Sequence, residues 1–149
     1  MLMRAVLIII PVIMFLGFVL DSIPKEKGSN ISSVERIVDG DTFYIGENKV
    51  RLIGINTPEI GEKCFLETKN KLKELILNKE VRLEIDILQT DRYDRLLRYV
   101  YVANDFVNLE MVKGGFAVAE KIKPNVKYAD DFEDAEKSAR ESKLGCLWS

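Results

Sequence analysis

The chain changes character abruptly after residue 20. Residues 1–20 carry a single charge, Arg4, and seventeen of the twenty are apolar; Ala5 to Leu20 runs for 16 residues with only Pro11 and Gly17 interrupting it. Such a segment has no polar face with which to lie on a water-facing core, and Pro11 counts against a buried helix. Sixteen helical residues reach roughly 24 Å, short of the ~20 residues that cross a bilayer comfortably. A basic start followed by an apolar run matches an export segment, although Gly17-Phe18-Val19-Leu20 lacks a small-x-small cleavage pattern. The expectation is an N-terminal hydrophobic helix over 1–20, a signal peptide or a retained transmembrane anchor. The body is then secreted or held at the cell surface by the membrane. Residues 21–33, with Pro24, Gly28 and several serines, read as a linker, which leaves 34–149 as one folded domain.

That domain alternates strand-like and helical stretches. Val34–Val38 and Thr42–Ile45 are short strand-like runs divided by Asp39-Gly40-Asp41, and Gly46-Glu47-Asn48 is hairpin-turn chemistry. Lys49–Ile55 alternates as a further strand, ended by Asn56-Thr57-Pro58-Glu59 because proline cannot continue a ladder. Spacing predicts a helix over Cys64–Asn78 with Phe65, Leu72, Leu75 and Ile76 on its apolar face. Val81, Leu83, Ile85 and Ile87 mark a half-buried strand, and Leu96–Ala103 marks another. Val107–Val112 reads as a short helix stopped by Gly114-Gly115, and Tyr128–Lys143 as a last helix with Phe132, Ala135 and Ala139 inward. Five short strands with helices between and after them form an α+β pattern that is mainly β. A five-stranded Greek-key barrel of the OB-fold type with about three packed helices is one of several architectures it allows.

Composition restricts the chemistry. The 149 residues contain no histidine. That excludes Ser-His and Cys-His nucleophile pairs, histidine acid–base catalysis and histidine metal ligands. Two cysteines are too few for an ordinary zinc site. What remains is carboxylates, arginines, tyrosines, lysines and a hard cation bound by oxygen. Net charge is −2, and −3 once the first twenty residues are removed, which argues against a general basic coat for nucleic acid. Cys64 and Cys146 form an even pair in an oxidising compartment. A disulfide between them would close a loop of about 80 residues, worth ~4 kcal/mol in the chain-entropy picture; the alternative is two unpaired buried thiols.

Two strand-end segments concentrate oxygen donors, Val38-Asp39-Gly40-Asp41-Thr42 and Asn56-Thr57-Pro58-Glu59. Taken singly, each is ordinary turn or helix-start sequence. Arg51 stands mid-strand, and Arg95 closes the charged run Thr90-Asp91-Arg92-Tyr93-Asp94-Arg95. Guanidinium groups hold phosphate through paired hydrogen bonds. A cation, a carboxylate and two arginines are together a set suited to splitting a phosphodiester.

In this order the motifs resemble the staphylococcal nuclease (thermonuclease) family. The likeness runs from about Ser33 to Ser149 and includes Arg51-Leu-Ile-Gly-Ile-Asn-Thr-Pro-Glu59, Lys123-Pro124-Asn125 and Leu144-Gly-Cys-Leu-Trp148. The resemblance implies an OB-fold barrel with three helices and Ca²⁺-dependent hydrolysis of DNA and RNA by a monomer. It implies Asp41 as a direct calcium ligand, with Asn56 and the Thr57 carbonyl beside it and Asp39 in support. Glu59 matches the glutamate that acts as, or positions, the base. Arg51 and Arg95 match the two arginines that grip the scissile phosphate. Tyr93 and Arg92 match groups near a bound nucleotide's terminal phosphate. Three features depart from the family. Asn56 supplies an oxygen without the charge of the aspartate often found there. Asp94 stands where glycine is frequent. Glu120 and Ile122 replace aromatic base-stacking residues, and Tyr128 is either a local substitute or a helix-start packing residue. The alternative function is a non-catalytic OB-fold module that binds nucleic acid or a partner at the membrane.

Overall fold

Turn residues cut the first half of the domain into short strands. In the computed structural model, which describes residues 31–149, these are β1 (Ile31–Ser33), β2 (Arg36–Ile37), β3 (Thr42–Ile45), β4 (Asn48–Leu52) and β5 (Ile55–Asn56). The expected hydrophobic segment 1–20 and residues 21–30 of the expected linker lie outside the described residues. The end of that linker is strand instead: β1 pairs antiparallel with β6 (Glu80–Glu84). Among the described residues no helix is long and apolar enough to cross a membrane.

The run expected as one strand from Lys49 to Ile55 is broken at Gly54. Its φ is 81°, and a Cβ there would lie 2.3 Å from the Phe132 ring. Only glycine takes that backbone and admits that ring. The break sends β5 to pair with β9 (Val118–Ala119), while β4 pairs in parallel with β7 (Leu96–Val102).

The main sheet has the order β1-β6-β7-β4-β3-β2, with β8 (Asp105–Phe106) added to β7. It is mixed and open, so the expected closed five-stranded barrel is not formed. Its two edge strands are successive pieces of one segment. Between them Val34 bonds to Lys79 and Asn78, and Glu35 bonds to Tyr44. The α+β, OB-like class therefore stands, built as a curled open sheet with four helices among the described residues, not three. Ile85 and Ile87, expected on the inner face, are 48% and 74% exposed because β6 ends at Glu84.

The helices are α1 (Phe65–Ile76), α2 (Val107–Lys113), α3 (Ala129–Glu141) and α4 (Gly145–Trp148). α1 buries Thr68, Leu72 and Ile76 at four-residue spacing, and Phe65 stays at its margin. α3 buries Phe132, Ala135 and Ala139 as its periodicity requires, and Asp130 and Asp131 in its first turn meet the positive helix end. Tyr99, Phe43, Leu52, Ile55, Met111 and Phe132 form the centre of the core. α4 docks through glycine backbone: a Cβ on Gly115 would lie 2.0 Å from the Leu144 carbonyl oxygen.

The expected Cys64–Cys146 disulfide is not formed in this structure, where both are free thiols. They are neighbours, with Cys146 Sγ 4.0 Å from the Cys64 carbonyl oxygen. Burial, and then contact with the Cys64 thiol, pushes the Cys146 thiol up to about 12. A thiol kept so firmly protonated is a poor nucleophile for disulfide exchange.

One buried amide ties these layers together. Asn108, fully buried on α2, accepts the Val100 N–H at 2.9 Å and donates to the Ile53 carbonyl at 2.9 Å. It joins β7 to the turn that separates β4 from β5. Replacing Asn108 by Ala strands both groups, a loss of about 2–3 kcal/mol. A urea titration should show a lowered midpoint at unchanged slope; a wild-type midpoint would contradict this.

Candidate active site

The parallel ladder between β4 and β7 brings the two arginines together. Its register sets Val50 opposite Leu96 and Arg51 opposite Leu97, so Arg95 arrives at β7 beside the strand that carries Arg51. A second pairing delivers the oxygen donors. The turn after β2 returns to β4 through the Leu52 N–H, which donates to the Asp41 carbonyl at 2.9 Å. Gly40 lets this turn close on its neighbours, since a Cβ there would lie 2.8 Å from the hydroxyls of Thr57 and Thr68.

Asp41 is the centre of the constellation, at 3% exposure. Its Oδ1 accepts from the Thr42 hydroxyl at 2.8 Å and from Arg51 Nη1. Its Oδ2 accepts from both the N–H and the hydroxyl of Thr57, each at 3.2 Å. Arg51 Nη2 donates to Asn56 Oδ1 at 3.2 Å, to the Ile55 carbonyl at 3.4 Å and to Glu120 Oε2 at 3.1 Å. Asp39 supports the turn by accepting the Asp41 N–H at 3.0 Å. Burial, and then the neighbouring Asp41 charge, raise the Asp39 carboxyl above the usual range.

The Thr90–Arg95 run forms the facing wall. Asp91 organises it by accepting the Tyr93 N–H (2.9 Å), the Arg95 N–H (3.1 Å) and Arg95 Nε (2.7 Å). Asp94 takes φ 58°, the left-handed geometry expected where the family often has glycine. Tyr93 is 64% exposed, and the Arg92 and Arg95 guanidinium carbons lie 4.8 and 5.5 Å from its ring centroid. Between the walls is a cleft of about 550 Å³ lined by Arg51, Arg92, Tyr93, Arg95, Glu120 and Lys123, among others. Its floor is fixed by Asn125, whose side chain accepts the Leu88 N–H at 2.8 Å and donates to the Leu88 carbonyl at 2.7 Å.

The structure thus gathers Asp39, Asp41, Arg51, Asn56 and Thr57 into one bonded group and sets Arg92 and Arg95 around the Tyr93 ring in another. Glu59 is left out of both. It is exposed, and among the described residues its carboxylate makes no hydrogen bond or ion pair; its N–H is held by the Glu62 carboxylate at 2.7 Å and its carbonyl accepts the Glu62 N–H at 3.0 Å. Tyr128 packs edge-on against Tyr99 and bonds Glu84, so it is a packing residue and not a stacking platform.

Sequence reasoning missed the roles of Asp91 and Asn125. Asp91 was legible, since an aspartate accepting the N–H two residues on is a recognisable turn device. Asn125 had no local signal, because its partner is remote in sequence.

The donor set can be tested for a cation. Among the described residues no three acidic or cysteine side chains converge on a point. The set is one buried carboxylate with amide, hydroxyl and main-chain oxygens. All are hard donors of the kind a calcium ion accepts, and in this structure Arg51 bonds the Asp41 Oδ1 and Asn56 Oδ1 oxygens.

Residues 49–149 match the family described as "Staphylococcal nuclease homologue". The chain belongs to the staphylococcal nuclease family. It is 34% identical to a thermonuclease of Staphylococcus hyicus over 126 residues, covering 78% of this chain and 74% of that one. A thermonuclease of Staphylococcus intermedius is 35% identical, with 77% and 74% covered. A micrococcal nuclease of Shigella flexneri is 33% identical, with 78% and 72% covered.

The Asp91 contacts carry a pH dependence. Burial tends to raise its carboxyl, but the two N–H bonds and the Arg95 guanidinium outweigh this and hold it below its ordinary value of 3.8. A carboxyl depressed in the folded state contributes stability above its unfolded pKa and loses it as pH falls through the folded value. Exchange protection at the Tyr93 and Arg95 amides, corrected for intrinsic rates, should persist above about pH 4 and collapse below it. In Asp91→Ala the protection should already be absent at neutral pH, and retained protection would contradict the assignment.

Proposed function

We propose that this chain is an exported, calcium-dependent nuclease that hydrolyses phosphodiester bonds in DNA and RNA as a monomer. The observation that carries the reading is the meeting of Arg51 and Arg95 at one cleft, with Asp41, Asn56 and Thr57 directly behind Arg51. Thermonucleases that the chain matches over most of their length support it. The apolar segment 1–20 supports export, with a membrane tether if it is retained.

Asp41, Asn56 Oδ1 and the Thr57 carbonyl would hold the calcium ion, with Asp39 bracing the turn. When bound, the ion offsets negative charge on the phosphate. Arg51 and Arg95 donate hydrogen bonds to the non-bridging phosphate oxygens and stabilise the charge that grows on pentavalent phosphorus. Arg92 and Tyr93 bind the neighbouring phosphate. Glu59, whose carboxylate is exposed and unpaired among the described residues, accepts the proton of the attacking water. The P–O ester bond then breaks and the leaving oxygen takes up a proton.

The deciding assay incubates the full-length protein with single-stranded DNA in calcium or in chelator. Calcium-dependent cleavage is expected. Binding without cleavage would favour the non-catalytic module. Glu59→Gln and Arg95→Ala should each lower kcat/KM about a hundredfold or more, as loss of a transition-state interaction does. Near wild-type turnover by either variant would remove its role. Asn56→Asp restores a negative charge and should move the calcium titration of activity to lower concentration; an unchanged titration would refute Asn56 as a ligand.

A further inference from the structure

Two acidic side chains line the cleft, and each is bonded to one of the arginines. The two bonds differ in kind. Asp91 takes Arg95 from the Nε edge, so among the described residues the terminal nitrogens of that guanidinium have no protein partner. Glu120 takes Arg51 at Nη2, a terminal nitrogen already shared with Ile55 and Asn56.

Nη2 carries two hydrogens and has three acceptors. They are not equivalent. The Ile55 carbonyl and Asn56 belong to β5, which is fixed by its pairing with β9. Glu120 is a long side chain, 38% exposed, and its bond can break without disturbing a strand. Its backbone is pinned, because the Glu120 N–H donates to the Gly54 carbonyl at 2.9 Å. A displaced carboxylate therefore stays at the cleft wall. Arg51 does not depend on Glu120 for neutralisation, since Asp41 already supplies a buried counter-charge.

We infer that Glu120 is a specificity-determining residue of the phosphate site: it occupies Arg51 until a phosphate displaces it, and its charge then selects singly charged internal phosphodiesters over dianionic terminal phosphates. This rests on the reading that Arg51 grips the substrate phosphate. The repulsion follows Coulomb's law and scales with the charge of the arriving group. An internal phosphodiester carries one charge, whereas a terminal phosphate carries nearly two at neutral pH. The cleft is thereby biased toward cutting within a strand and toward releasing ends that bear a new terminal phosphate.

The test is calorimetric binding to the full-length protein in calcium, with two probes. One is thymidine 3′,5′-bisphosphate. The other is an oligothymidine with hydroxyls at both ends and phosphorothioate linkages, which keeps one charge per linkage and resists cleavage. Glu120→Gln should tighten the bisphosphate about five- to tenfold and the oligonucleotide only about two- to threefold. Glu120→Ala should behave alike, which separates charge from side-chain packing. No gain for the bisphosphate, or equal gains for both probes, overturns the inference. Arg51→Ala separates the two levels. If it weakens both probes while Glu120→Gln changes neither, Glu120 alone loses its role. If Arg51→Ala leaves both probes unaffected, the phosphate-gripping role of Arg51 falls and the inference falls with it.

Discussion

The site depends on keeping one negative charge out of water. Asp41 is almost fully buried, and removing a carboxylate from water is costly by several kcal/mol unless it is paired and hydrogen-bonded. Its partners come from three places: Thr42 beside it, Arg51 on β4 and Thr57 just beyond β5. Each must be delivered by its own local device. The turn can close because Gly40 has no side chain, and β5 can leave the line of β4 because Gly54 takes a left-handed backbone against Phe132. A single buried ion thus forces agreement among a turn, a strand break and a helix that lies far along the chain.

What could be read from sequence follows from how local each cause is. The apolar spacing of Leu72 and Ile76, and of Phe132, Ala135 and Ala139, placed two helices within a few residues, because helix periodicity is written in consecutive positions. The break at Gly54 was hidden, since Lys49–Ile55 alternates without a flaw and the ring that demands a glycine is Phe132. The open sheet was hidden for a related reason: β1 lies in a stretch whose composition reads as linker. At the site, the Asp41 and Asn56-Thr57 segments and the two arginines were legible as motifs. The bond from Arg51 to Glu120 was not, because it joins strands that meet only through the β5–β9 ladder. Glu59 shows the opposite limit, as its motif implies a role in catalysis while its carboxylate stands free of the bonded groups.

The charge pattern also has a physical reading. The chain is slightly acidic overall, and Arg51 and Arg95 are each matched by a nearby carboxylate, Asp41 and Asp91. Such pairs spread little long-range field, so attraction of a distant polyanion is weak and steering is modest. In exchange, the guanidinium groups are held in fixed orientations before any ligand arrives, which lowers the reorganisation needed when a charge enters.

The parallel pairing of β4 with β7 has a kinetic consequence. Parallel neighbours cannot be joined by a tight turn, and here the crossover carries β5, α1 and β6. Closing so long a loop comes late in folding, since its entropy is lost before the contacts form. Arg51 and Arg95 therefore share a cleft only after this long-range ladder has formed. An unfinished or stretched chain carries every residue of the site and none of its geometry. The appearance of phosphate affinity is accordingly a direct reporter of completed folding, usable as a clock in refolding experiments.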